Sequence, residues 1–180
     1  MVHAVCETTN LGAVRYAERI FDAVASVDID NGTIGYLDEL VEGTTHMYTF
    51  VPGVKEGKKI CLAHNPEWNE DECRMTNQRK DKFFIPAGTP FRAYVLKVTD
   101  EFALSPEGFS AESRETLKEG KFATVNEEGK LVVADAASED ALMVGQIMRK
   151  RQVGATLVTN LREYGYARMM YTVKVIGLGK

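Results

Sequence analysis

Apolar runs in this chain stop at four residues, as at Ala141 to Val144. A bilayer span needs roughly 20, so no membrane helix is expected. The opening stretch, MVHAVCETTNLGAVRYAERIFD, has no basic segment followed by an apolar block. No secretory signal is therefore expected. Cysteine is scarce, with Cys6, Cys61 and Cys73 alone. An odd number excludes a complete disulfide framework within one chain, and a reducing compartment is the simplest setting. The histidines are His3, His46 and His64, with no H-x-H pair. No G-x-S-x-G elbow, G-x-x-x-x-G-K-[ST] loop or G-x-G-x-x-G loop occurs, so neither an activated nucleophile nor a phosphate cradle is signalled. No enzyme and no cofactor are expected.

What is present is ordinary globular material. The 180 residues are 44% apolar and 27% charged, which argues against disorder. A single domain of this length buries roughly two-thirds of its unfolded surface and needs no staples. The net charge of -4 gives no general reason to expect a polyanion.

The pattern along the chain favours strands. Val24 to Asp30 alternates with a period of two and ends at Asp30-Asn31-Gly32, which predicts a hairpin returning through Thr33 to Leu37. Further strands are expected at 46–51, 59–63, 91–98 and 142–148, with a β-rich run at 166–176. A second hairpin is expected between Lys121–Val125 and Lys130–Ala134, across Asn126 to Gly129. Residues 13–25 fit a short helix or a strand entered at Ile20. Ser110 is a candidate cap for a short helix ended by Gly120. Eight or more short strands predict a mainly β fold, a small antiparallel β-barrel or sandwich. Residues 1–18 read as an N-terminal arm. Residues 19–180 read as one β-rich domain with insertions near 64–82 and 100–120.

Four groups of residues could carry chemistry. Cys61, His64 and Cys73, with His46 beside them, are the best zinc donors. A closed zinc site needs four ligands, and there is no C-x-x-C pair. A small thiol inside an apolar strand also packs well without metal, and the structural reading is preferred. Phe84-Ile-Pro-Ala-Gly-Thr-Pro-Phe91 is similar to a cupin turn, but Phe91 stands where a histidine ligand would be wanted. Pro and Gly explain the turn by their backbone preferences. Glu70, Asp71 and Glu72 lack the spacing of a calcium loop. Arg149-Lys150-Arg151 is an exposed basic cluster that suits solvent or an acidic protein surface. Nucleic acid usually needs a wider basic surface. Trp68 is the one apolar anchor in the polar excursion 64–82.

The segment Gly120 to Asp135, followed by Ala141-Leu-Met-Val-Gly-Gln-Ile147, resembles the β-barrel units of head-decoration and related capsid-accessory proteins of tailed phages. The shared pattern is a G-x-Φ-V-type hairpin leading to a ΦΦG-x-Φ strand, with Φ apolar. The resemblance implies a non-enzymatic virion protein, assembled in the host cytoplasm, that binds the major capsid protein and bridges neighbouring subunits. It further implies a homo-oligomer, with a trimer among the options, and no membrane or direct nucleic-acid contact. Partner contacts would fall on Arg149, Lys150, Arg151 and Trp68, with the arm and the 64–82 excursion reaching neighbours. A phage tail or neck component and a cupin-like small-molecule protein are the alternatives.

The net charge conceals segregation. Residues 1–50 carry 2 basic and 8 acidic side chains, and residues 101–140 carry 4 and 10. Residues 141–180 carry 7 and 1. Opposite-sign surfaces of this kind favour contacts between proteins.

Overall fold

The computed structural model describes residues 2–15, 19–67, 80–138, 140–154 and 168–179. The fold is mainly β. Eleven strands form two sheets among the described residues. Strands β2 (Ile20–Ala25), β3 (Ile34–Leu40), β4 (Met47–Pro52), β5 (Ile60–His64) and β6 (Phe91–Val95) close into a barrel in the order β2-β4-β3-β5-β6. Its pairs are antiparallel except β2 with β4, which run parallel. The second sheet contains β1 (Cys6–Glu7), β7 (Glu101–Leu104), β8 (Phe122–Val125), β9 (Leu131–Ala134), β10 (Met143–Val153) and β11 (Arg168–Leu178). Its order is β1-β7-β11-β10-β8-β9, antiparallel throughout.

Strand alternation sorts the side chains into two main cores. Ala23, Ala25, Leu37, Phe50, Cys61, Ala63 and Phe91 fill the barrel interior, where Phe50 and Phe91 meet edge to face at 5.2 Å. The intervening barrel residues Ile34, Ile60, Leu62 and Tyr94 point outward instead. They pack against Phe102, Leu104, Leu131, Ile147, Tyr171 and Val173 of the second sheet. The barrel and the sheet therefore share one apolar layer. Full burial of each such side chain contributes about 1.5–3 kcal/mol.

Four expectations need correction. Residues 2–15 are not a loose arm. Ala4, Val5, Cys6, Leu11 and Ala13 are buried, and Cys6 and Glu7 pair with Leu104 and Ala103. Ser105 Oγ accepts the Val5 N–H at 3.0 Å. The segment 100–120 is not an insertion, because β7 lies between β1 and β11 and buries Phe102, Ala103 and Leu104. Asn31-Gly32 does not close a β2–β3 hairpin. Gly32 does take a positive φ of 87°, but β2 pairs with β4 and β6 and β3 pairs with β4 and β5. Asn31 is instead a buried clip, exchanging side-chain bonds of 2.9 Å with the backbone of Asn65. Finally, Ser110 precedes a 3-10 turn, Ala111–Thr116, without capping its backbone. Its hydroxyl lies 2.8 Å from that of Ser113.

The sequence from Ile20 resolves as strand, preceded by a 3-10 turn at Gly12–Val14. The hairpin β8–β9 forms as expected, with Phe122 opposite Ala134 and Val125 opposite Leu131, one residue off the end-to-end pairing of 121–125 with 130–134 because Asn126 pairs with Lys130. Most of the 64–82 excursion lies outside the described residues. Among the described residues no helix is long and apolar enough to cross a membrane.

A buried polar clasp ties the opening segment to both sheets. Asp100 accepts the Gly12 N–H at 3.0 Å and the Lys97 N–H at 2.8 Å, and it pairs with the Arg19 guanidinium. Arg19 also donates to the Val95 carbonyl through Nε at 3.2 Å and Nη2 at 2.8 Å. Both side chains are buried.

Candidate interaction surfaces

The basic cluster sits on β10. Arg149, Lys150 and Arg151 stand opposite Thr172, Tyr171 and Met170 of β11. On its other side β10 pairs with β8 only at Gly145 and Gln146. Backbone bonds then run from Gly120 to Ile147 at 2.7 Å and from Ile147 to Lys121 at 2.8 Å. From Met148 to Val153 that edge has no strand partner among the described residues. All six side chains there are exposed. A Glu119 carboxylate oxygen accepts the Lys150 N–H at 2.8 Å.

The three cations differ in what they touch. Arg151 pairs with Glu7. Arg149 Nε donates to Thr172 Oγ1 at 3.3 Å and has no carboxylate partner among the described residues. The Lys150 ammonium sits 5.9 Å from the Tyr171 ring centroid and enters no ion pair among the described residues. Two of the three positive charges are thus available to an outside anion. Charged side chains on an open edge also block edge-to-edge aggregation. Like charges would face each other if two copies paired these edges, so symmetric self-pairing is disfavoured. The edge selects for a partner of opposite sign.

A second surface feature emerges only in three dimensions. The β2–β3 connection, the end of β4, the β8–β9 turn and the 3-10 turns after β7 surround a groove of about 1040 Å³. Its walls carry Asp28, Asp30, Glu107, Glu127 and Glu128 against two cations, Arg114 and Lys130. Val2, Val27 and Phe84 supply apolar surface. His3 closes one side, with Nδ1 2.7 Å from Asp30 and its ring stacked on Phe84 at 4.9 Å. Asp28 accepts the Ala87 N–H at 2.8 Å. Glu127 and Glu128 are exposed and enter no ion pair among the described residues. Every groove carboxylate comes from the two acidic stretches of the sequence.

The zinc reading fails on strand geometry. Cys61 and His64 are three apart on β5, and odd spacing in a strand places side chains on opposite faces. Cys61 packs inside the barrel with Ala63. His64 meets Tyr94 on the other face, with centroids 6.1 Å apart. Cys73 and Trp68 lie outside the described residues. His46 is exposed, 3.9 Å from Asp22. No group of three or more His, Cys, Asp or Glu among the described residues could hold a metal. Burial pushes the Cys61 thiol up to about 12 and raises Cys6 further, so both are inert packing thiols rather than nucleophiles. Burial also holds His64 below its usual value, opposed by Glu67 and by a hydrogen bond to the Cys6 backbone.

Sequence reasoning missed the Arg19–Asp100 clasp and the groove. The only advance signal of the groove was the acidic excess of residues 1–50 and 101–140. No protein-family model, no curated protein and no solved structure matches this chain.

Proposed function

We propose that the chain is a non-enzymatic structural protein of a tailed-phage virion, decorating or stabilising the capsid by bridging capsid subunits. The observation that supports this reading best is the cationic edge Met148–Val153, which has no strand partner among the described residues, carried on a body whose two main cores are filled. A rigid body holding an open edge is suited to strand addition or to a charge-matched contact with a neighbouring protein. Arg149 and Lys150 would meet acidic groups of the major capsid protein. Residues 2–15, being packed into the core, would support this face instead of reaching out as a tether.

Stabilisation follows by mass action. A protein that binds the assembled lattice but not loose subunits favours the lattice by about 2.7 kcal/mol at a hundredfold excess over Kd. Assembly in the host cytoplasm and residence in the virion belong to the same proposal. Co-sedimentation with assembled shells of the major capsid protein from the same genome tests it. Wild-type protein should pellet with shells at low salt and be released at about 0.5 M salt, where exposed charge contacts are screened. Lys150→Glu should pellet less. Wild-type protein staying in the supernatant at every salt concentration would refute the proposal.

A further inference from the structure

The groove and the basic edge are opposite in charge and share no residue. We infer that the chain associates head to side with a second copy, the Met148–Val153 edge of one molecule lying in the acidic groove of the next. The contact does not require a virion role, and a second copy and a capsid subunit would compete for this one edge, so an edge seated in a groove is not at the same time free to meet a shell.

Charge selects the occupant. The groove has five carboxylates and two fixed cations on its walls, an excess that rejects an acidic ligand and attracts a basic one. Within this chain, residues 141–180 hold 7 of the 22 basic side chains and 1 of the 26 acidic ones. The exposed cations among the described part of that segment are Arg149, Lys150 and Arg151, on the β10 edge. Among the described residues Glu127 and Glu128, on the β8–β9 turn, enter no ion pair, and Arg149 and Lys150 have no carboxylate partner for their side chains. Docking therefore forms new charge pairs without breaking the Arg151–Glu7 pair.

Shape and apolar contact agree with this assignment. Residues 148–153 span roughly 20 Å as an extended strand, a length suited to a groove rather than a closed pocket. The edge begins and ends on exposed apolar side chains, Met148 at 45% and Val153 at 36% exposure. The groove offers Val27 and Val2, each 51% exposed, and the Phe84 ring. An apolar pair at either end of a cationic centre would match a groove with apolar patches between carboxylates. A contact between two different faces is heterologous, so it closes into a ring such as a trimer or continues as an open chain, depending on the rotation between copies.

A charge-swap experiment in sedimentation velocity tests the contact. Wild-type protein should associate at low salt and dissociate at about 0.5 M salt. Two doubly substituted proteins follow, Glu127→Lys with Glu128→Lys in the groove and Arg149→Glu with Lys150→Glu on the edge. Each alone should lose at least about tenfold in self-affinity, because like charges then face each other. An equimolar mixture should associate again, since the intact edge of one meets the intact groove of the other. Far-ultraviolet circular dichroism verifies folding, and Glu127→Gln with Glu128→Gln gives a milder version of the groove change. The inference is overturned by a wild-type monomer at every salt concentration, by either charge-swapped protein associating like wild type, or by a mixture that stays monomeric.

Discussion

Replacing Asp100 by alanine should cost about 3–5 kcal/mol of folding stability, because it leaves Arg19 as a buried charge without its counter-ion. The structure gives the reason for so large a value. Arg19 and Asp100 are only 8% and 6% exposed, so water cannot replace the lost carboxylate. The Gly12 and Lys97 N–H groups, at 3.0 and 2.8 Å, lose their acceptor in the same substitution. These losses overlap rather than add, since one relaxation serves all three donors. Asp100→Asn keeps one oxygen for the backbone donors and should lose less. Arg19→Ala together with Asp100→Ala should lose far less than the sum of the two single changes, because neither charge is left stranded. Urea unfolding followed by circular dichroism reads the effect. With a slope of about 2 kcal/mol per molar urea, the midpoint of Asp100→Ala should fall by about 1.5–2.5 M. A loss below about 1 kcal/mol, or additive single and double changes, would refute the view that this pair clamps the opening segment to the two sheets.

Two further substitutions probe other joints of the fold. Gly129 has a φ of 75°, and a Cβ there would lie 2.2 Å from the Ile34 carbonyl oxygen, whose own N–H bonds Gly129 at 2.8 Å. Gly88 has a similar φ of 76° with open space around it. Gly88→Ala should therefore cost only the left-handed backbone penalty of about 1–2 kcal/mol. Gly129→Ala should cost clearly more, and equal melting temperatures for the two variants would contradict the close β3 approach. His64 has a folded-state value below its ordinary 6.5, mainly through burial. The unfolded chain then binds the proton more readily, so stability is full above pH 6.5 and falls as the pH drops below it. Urea midpoints at about pH 7.5 and about pH 5.5 should show this loss, and His64→Gln should reduce it. An unchanged pH dependence in the variant would remove His64 as a cause.

Local pattern made much of the second half of the fold legible. Phe122–Val125 and Leu131–Ala134 alternate across a turn with its own sequence signal, so the hairpin could be read, though its register is one residue off the bounds expected. The barrel strands at 47–52, 60–64 and 91–95 were legible for the same reason. Partner choice was not. Asn31-Gly32 specifies a backbone conformation, and that conformation is present, but it does not specify which strand comes next to β2. The segment Glu101–Leu104 is four residues long and begins on two adjacent charges, Asp100 and Glu101, so its place beside β11 depends on long-range pairing. Ala4, Val5 and Cys6 are consecutive and buried together, which leaves no period to detect.

The site divides in the same way. Three adjacent cations are visible in any reading of the sequence, while their position on an open edge depends on where β8 stops. The groove carboxylates run from Asp28 to Glu128 and meet only after the barrel packs on the sheet. The zinc donors show the reverse. Once residues 60–64 are read as a strand, the three-residue step from Cys61 to His64 already separates their side chains.

Titrating wild-type protein against assembled shells and, in parallel, against unassembled capsid subunits tests the central proposal most directly. Binding to shells should be saturable and released by salt, with little binding to free subunits. Equal affinity for both forms, or none for shells, would contradict it.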